Sequence, residues 1–132
     1  MNVQLQRDRY LQGAVETASP ARLLTMLYDR LAGDLAGAEL AIRSEANGDA
    51  NALLIHAQEI VLELQVSLDQ SAWGGAKGLS ELYMYLYAEL IAANMTKDSA
   101  RVAVCSRIVE PLRAAWHEAA TGVLGATAAV AG

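Results

Sequence analysis

Two histidines, one cysteine, a pair of adjacent glycines and a scatter of carboxylates are the residues of this 132-residue chain that could do chemistry. A di-iron centre in a helical bundle uses Glu-x-x-His pairs, which project both ligands from one helix face. Three positions before His56 stands Leu53, and three before His117 stands Ala114, so that pattern is absent. A phosphotransfer histidine needs a solvent-facing imidazole with basic residues and glycine nearby on its helix. His56 is followed by Ala57-Gln58-Glu59-Ile60, and His117 adjoins Trp116 near an expected helix end. Both histidines read as partly exposed polar residues on helices. Gly74-Gly75 lacks the preceding strand and the Gly-Lys-Ser/Thr ending of a phosphate loop, and reads as a turn between helices. Cys105 falls on an apolar helix seam and reads as a small buried hydrophobe. No carboxylate pair forms an acid–base couple. The residues give no positive sign of catalysis, of a metal site or of a cofactor.

The chain that carries these residues is 54% apolar, with two prolines and no Phe, which favours helix over sheet and excludes disorder of the whole. Its length suits one domain with a proper core. The net charge of −5 argues against a nucleic-acid partner. The single cysteine excludes an internal disulfide and gives no sign of an oxidising compartment. The N-terminus has no continuous apolar stretch of a secretory signal. The longest apolar runs carry Glu59, Glu63 or Glu81, so none reads as a membrane span. These features predict a cytoplasmic protein.

The strongest structural signal is Thr17-Ala18-Ser19-Pro20. Ser19 is a good N-cap, and Pro20 then takes the first helical position, where its missing N–H costs nothing. Apolar residues follow at Leu24, Tyr28, Leu31, Leu35, Ala38 and Ile42, the alternating four- and three-residue steps of a bundle helix. The first helix is predicted over residues 20–43, ended by Asn47-Gly48 as the turn. The second is predicted over 50–69, with Leu53, Ala57, Ile60, Val61, Leu64 and Leu68 inward. The third is predicted over 76–94, with Leu79, Leu82, Tyr83, Leu86 and Leu90 as its main stripe. The link Met95-Thr96-Lys97-Asp98 ends in a good N-cap. The fourth helix is predicted over 99–120, with Cys105, Val109, Leu112, Trp116 and Ala119 inward and a kink at Pro111. Residues 1–16 form a polar arm, 17–120 the helical domain, and 121–132 a small-residue tail expected to be disordered. Four long helices with short links give an all-α, antiparallel up-down-up-down four-helix bundle.

Apolar surface exceeds what such a core needs. Ile55, Leu62 and Val66 point away from the inward face of the second helix, and Met84, Tyr87 and Ile91 widen the stripe of the third. A row of this kind marks an interaction surface. The other reading is that loops, the arm or a second copy cover it.

The ordered set of local patterns resembles a known family. It comprises Tyr10, Thr17-Ala18-Ser19-Pro20, Leu24, Met26-Leu27-Tyr28-Asp29, Ala57-Gln58, Ile60, Glu63-Leu64 and Ser67-Leu68-Asp69. It continues through Leu79, Leu82-Tyr83-Met84-Tyr85, Ala93-Asn94 and Asp98 to Leu112-Arg113-Ala114-Ala115-Trp116. Together they resemble the flagellar secretion chaperone FliS family over about residues 10–118. The resemblance implies a non-enzymatic bundle that binds the C-terminal segment of newly made flagellin in the cytoplasm. It would prevent premature polymerisation and assist delivery to the flagellar type III export apparatus. The export gate and other flagellar regulators are implied as further partners. The family's arm, matched here at Tyr10, covers part of the apolar groove when no client is bound. The expected partner-binding set is therefore Tyr10, Ile55, Leu62, Val66, Met84, Tyr87 and Ile91, in a monomer or weak homodimer with no nucleic acid and no membrane insertion. Trp73 and Pro111 depart from the family's usual residues. The competing readings are a phosphotransfer bundle and a homodimeric signalling bundle.

Overall fold

The computed structural model describes residues 19–131, with side chains described as far as Gly122. Four helices follow one another: α1 (Pro20–Arg43), α2 (Asn47–Ser67), α3 (Ala76–Thr96) and α4 (Ser99–Ala131). The described residues contain no strand. The start of α1 is set as its sequence predicts: Ser19 has extended backbone, and its Oγ accepts from the Arg22 N–H at 3.2 Å. Pro20 opens the helix behind it.

The turn after α1 differs from expectation. Its left-handed residue is Glu45, at φ 61°, and the Ala46 N–H closes onto the Ala41 carbonyl at 2.8 Å. Asn47-Gly48 is not the turn but the first turn of α2. The chain has already reversed at Glu45, and the free amides of a first turn tolerate both residues. The α3–α4 reversal is sharper. Lys97 takes φ 49° at the end of α3, and its Nζ donates to the Asn94 carbonyl at 2.7 Å. Asp98 then caps α4, accepting from the Ala100 N–H at 2.9 Å. In the α2–α3 connection the Trp73 indole lies over Gly75, where a Cβ would sit 1.9 Å from the ring. Gly75→Ala is therefore expected to swing the half-exposed indole off the loop. Acrylamide quenching of tryptophan emission should rise, with stability changed by less than about 1 kcal/mol; unchanged quenching would contradict the close approach.

The helix contacts close a ring: α1 packs on α2 and α4, and α3 packs on α2 and α4, with the α3–α4 edge the least extensive. Tyr28, Leu31 and Leu35 of α1, Leu54, Val61 and Leu64 of α2, Tyr83, Leu86 and Leu90 of α3, and Val102, Cys105 and Val109 of α4 fill the centre. Each large apolar side chain so buried contributes about 1.5–3 kcal/mol. Several inward assignments shift. Leu54, not Leu53, is the fully buried leucine of α2, Leu68 and Leu82 are only partly buried, and Ala119 is exposed. An error of one residue rotates a helix by about 100°, enough to move a side chain from centre to flank. α4 passes unbroken through Pro111. The carbonyl freed there is that of Arg107, and both residues lie on the exposed side, where solvent can serve it. The helix then continues to Ala131, beyond the predicted end at Ala120, through a stretch in which four alanines and Leu124 favour helix while Gly122, Gly125 and the β-branched residues do not. At 33 residues it spans about 50 Å, while α1 at 24 residues spans about 36 Å, so it outreaches the bundle.

Candidate functional site

Each helix contributes an apolar stripe to the centre, and the polar groups that occur on the flanks pin one helix to the next. Tyr28 of α1 and Tyr83 of α3 meet in the interior, hydroxyl to hydroxyl at 2.6 Å. Burial pushes the Tyr28 phenol up, against hydrogen bonds from Tyr83 and Trp116 that pull it down. Burial and then the bond to Tyr28 raise Tyr83 further, so both stay protonated. Cys105 is buried, and desolvation, with a smaller push from Glu89, raises its thiol to about 12. It is no nucleophile.

Both histidines are held between helices. The His56 imidazole bonds through Nδ1 to Asp34, a buried carboxylate on α1. His117 bonds through Nε2 to Asp29 at 2.7 Å, and Arg113 donates from Nε to the same oxygen, also at 2.7 Å. Asp34 and Asp29 thus tie α1 to α2 and to α4. Asp34 is not singled out by sequence, and Asp29 is named there only within the Met26–Asp29 run, without its partners, because those lie on another helix. Among the described residues no cluster of His, Cys, Asp and Glu could hold a metal ion.

Partial burial pushes the Asp29 carboxyl up, but the bonds and charges of His117 and Arg113 outweigh it and leave it below its usual range. A lowered carboxylate stabilises the fold above its unfolded pKa of about 3.9, and the contribution is lost as pH falls through the folded value. Asp29 is 40% exposed, so solvent screening holds the contribution to less than about 1 kcal/mol. Wild type should therefore melt a few degrees above Asp29→Asn at pH 6, with the gap closing below about pH 4. A gap that widens in acid would contradict the assignment.

The expected partner-binding residues of α2 and α3 fall along one seam. Asn94 Nδ2 donates to Asn51 Oδ1 at 2.9 Å and Gln65 Nε2 to Ser80 Oγ at 2.6 Å, at the same interval along both helices. The two bonds fix an antiparallel register in which Ile55 is level with Leu90 and Leu62 with Tyr83. Ile55 and Leu62 flank this seam from α2 at 42% and 40% exposure, with Val66 outermost at 86%. Met84 flanks it from α3 at 49%, and Tyr87 and Ile91 are half-buried beside it. Tyr10 lies outside the described residues.

The other flank of α2 carries a feature the sequence reading missed. Between α1 and α2, a groove of about 820 Å³ is lined by Leu23, Leu24, Leu27 and Ile60, with Arg30 and Glu63 on facing walls. The i, i+4 pair Leu23 and Leu27, just beside the predicted core stripe, was its legible signal. α2 is thus apolar toward the centre and toward both neighbours, which is why it lacks a clean polar back.

A four-helix bundle with its polar residues spent on interhelical bonds and apolar seams left open defines a helical binding protein. Comparison with known proteins agrees. The family model described as "Flagellar protein FliS" matches residues 1–123. The flagellar secretion chaperone FliS of Bacillus subtilis (strain 168) is 32% identical over 119 residues, covering 90% of this chain and 89% of the relative. That of Salmonella typhimurium (strain LT2) is 31% identical over 112 residues, covering 82% of each. A structure described as a crystal structure of a flagellar chaperone from bacteria superposes with a TM-score of 0.72 at 17% identity, covering 92% of this chain and 99% of its own, and shows the same fold. The chain belongs to the FliS family of flagellar secretion chaperones, not to an enzyme family. Among the described residues no helix is long and apolar enough to cross a membrane.

Proposed function

We propose that this protein is a cytoplasmic chaperone that binds the C-terminal segment of flagellin, prevents its premature polymerisation and assists its delivery to the flagellar type III export apparatus. The observation that carries the reading is the apolar surface on both flanks of α2, the α1–α2 groove on one side and the α2–α3 seam on the other. A segment that folds as it binds gains affinity from a long apolar track, not from one deep pocket. The bundle has already ordered its own side chains, so only the client loses conformational freedom. Ile55, Leu62, Val66, Met84, Tyr87 and Ile91 contact the client, and Tyr10 of the arm shields part of that surface in the free protein. The export gate and other flagellar regulators are its further partners.

Leu62→Lys tests the reading. Leu62 is 40% exposed and outside the centre, so the melting temperature should stay nearly unchanged. Calorimetric titration with the flagellin C-terminal segment should show binding weakened by about 1–3 kcal/mol. Full-strength binding would remove Leu62 from the client surface. Tyr10→Ala, titrated alongside, should tighten binding if the arm only competes for the groove and weaken it if the displaced arm also contacts the client.

A further inference from the structure

The charge of this molecule is segregated. Residues 47–96, which hold α2 and α3, carry Asp49, Glu59, Glu63, Asp69, Glu81 and Glu89 against Lys77 alone, so this half bears the chain's entire net charge of −5. The same half holds every exposed large apolar side chain of the described residues except Leu40. Acidic charge and exposed apolar surface therefore share one side of the bundle.

The placement is finer than the composition. Glu89 is turned toward α4, where Arg101 approaches it at 3.5 Å. Glu59 and Glu81 are exposed, and no ion pair among the described residues involves them, while Glu63, also exposed, belongs to the α1–α2 groove. Glu59 stands four residues after Ile55 and three before Leu62, on the outer edge of the α2 stripe. Glu81 stands three residues before Met84, on the outer edge of the α3 stripe. Helical neighbours at these intervals lie side by side. The seam is thus an apolar strip, partly built of adaptable methionine, with one unpaired carboxylate on each margin, Glu59 on α2 and Glu81 on α3, and Lys77 one turn before Glu81 toward the helix start.

We infer that the occupant of the α2–α3 seam is a cationic amphipathic helix, with apolar residues at i, i+3, i+4 and i+7 and Lys or Arg on both sides of that stripe. The inference rests on the reading of this seam as a docking track, and adds the charge of what docks there. Apolar contact supplies the affinity, and the carboxylate margins set orientation and encounter rate. The same margins disfavour a second copy of this chain, because two such faces would bring like charges together.

The test uses the full chain and two helical peptides of about 18 residues, which span about 27 Å. They share one apolar stripe and differ only in flanking residues, Lys and Arg in one and Glu in the other. The cationic peptide should bind at least about tenfold more tightly at low salt. The gap should shrink toward nothing near 1 M salt, where screening acts within about 3 Å. The double variant Glu59→Gln, Glu81→Gln should keep the wild-type melting temperature and lose most of the preference. Leu62→Lys should abolish binding of the cationic peptide. Equal affinities, a preference that survives the double variant, or a stable dimer that competes with the peptide would each overturn the inference. Parallel titration with the flagellin segment separates the two readings. Charge preference without flagellin binding keeps the inference and removes flagellin as the client. Flagellin binding lost in Leu62→Lys, with no charge preference, does the reverse.

Discussion

Replacing Leu54 by alanine should destabilise the bundle by about 3 kcal/mol, and replacing its neighbour Leu53 should cost roughly 1 kcal/mol. Leu54 is fully buried, whereas Leu53 is half-buried on the α1 flank. Truncating Leu54 removes its transfer free energy and leaves a cavity in the centre of the bundle. Truncating Leu53 opens space above Gly37, where a methyl would lie 3.1 Å from a Leu53 methyl, and solvent reaches that site. Urea unfolding of both variants checks the order. A larger loss at Leu53 would mean that α2 is rotated so that Leu53, not Leu54, faces the centre.

The second large effect concerns the buried phenols. Tyr28→Phe should cost about 2–3 kcal/mol, because the Tyr83 hydroxyl is then left in the interior without its partner. Tyr83→Phe should cost less, about 1–2 kcal/mol, since Tyr28 also interacts with the Trp116 side chain. The double variant should cost clearly less than the two together, because no unpartnered hydroxyl remains on α3. Such coupling is the mark of residues that share one bond. Strict additivity would show that the two hydroxyls do not depend on one another.

Both predictions depend on placements of unequal visibility in the sequence. Tyr28 was legible as a core residue from its position between Leu24 and Leu31, but its partner was not, because the two tyrosines are 55 residues apart. The choice between Leu53 and Leu54 was not legible either. In Ala52-Leu53-Leu54-Ile55 every phase of the helix offers an apolar side chain, so the pattern does not fix the rotation. The same all-round apolarity signalled that α2 is contacted on more than one side. It drew attention to the α2–α3 flank, and it left the α1–α2 groove unread because Leu23 and Leu27 lay beside an already sufficient core stripe.

What the sequence determined by itself is what short-range physics determines: four helices, the start of α1 at Ser19-Pro20, the cap at Asp98, and the central members of the α1 and α3 stripes, Tyr28, Leu31 and Leu35 with Tyr83, Leu86 and Leu90. Capping, proline geometry and 3.6-residue periodicity act within a few residues and can be read from them. The tertiary structure alone decided which side chains meet across helices. It paired Asp34 with His56, gathered His117 and Arg113 on Asp29, joined Tyr28 to Tyr83, and set the level at which α2 faces α3. Those contacts follow from the rotation and sliding of whole helices, which many small packing terms fix together and no single local signal records.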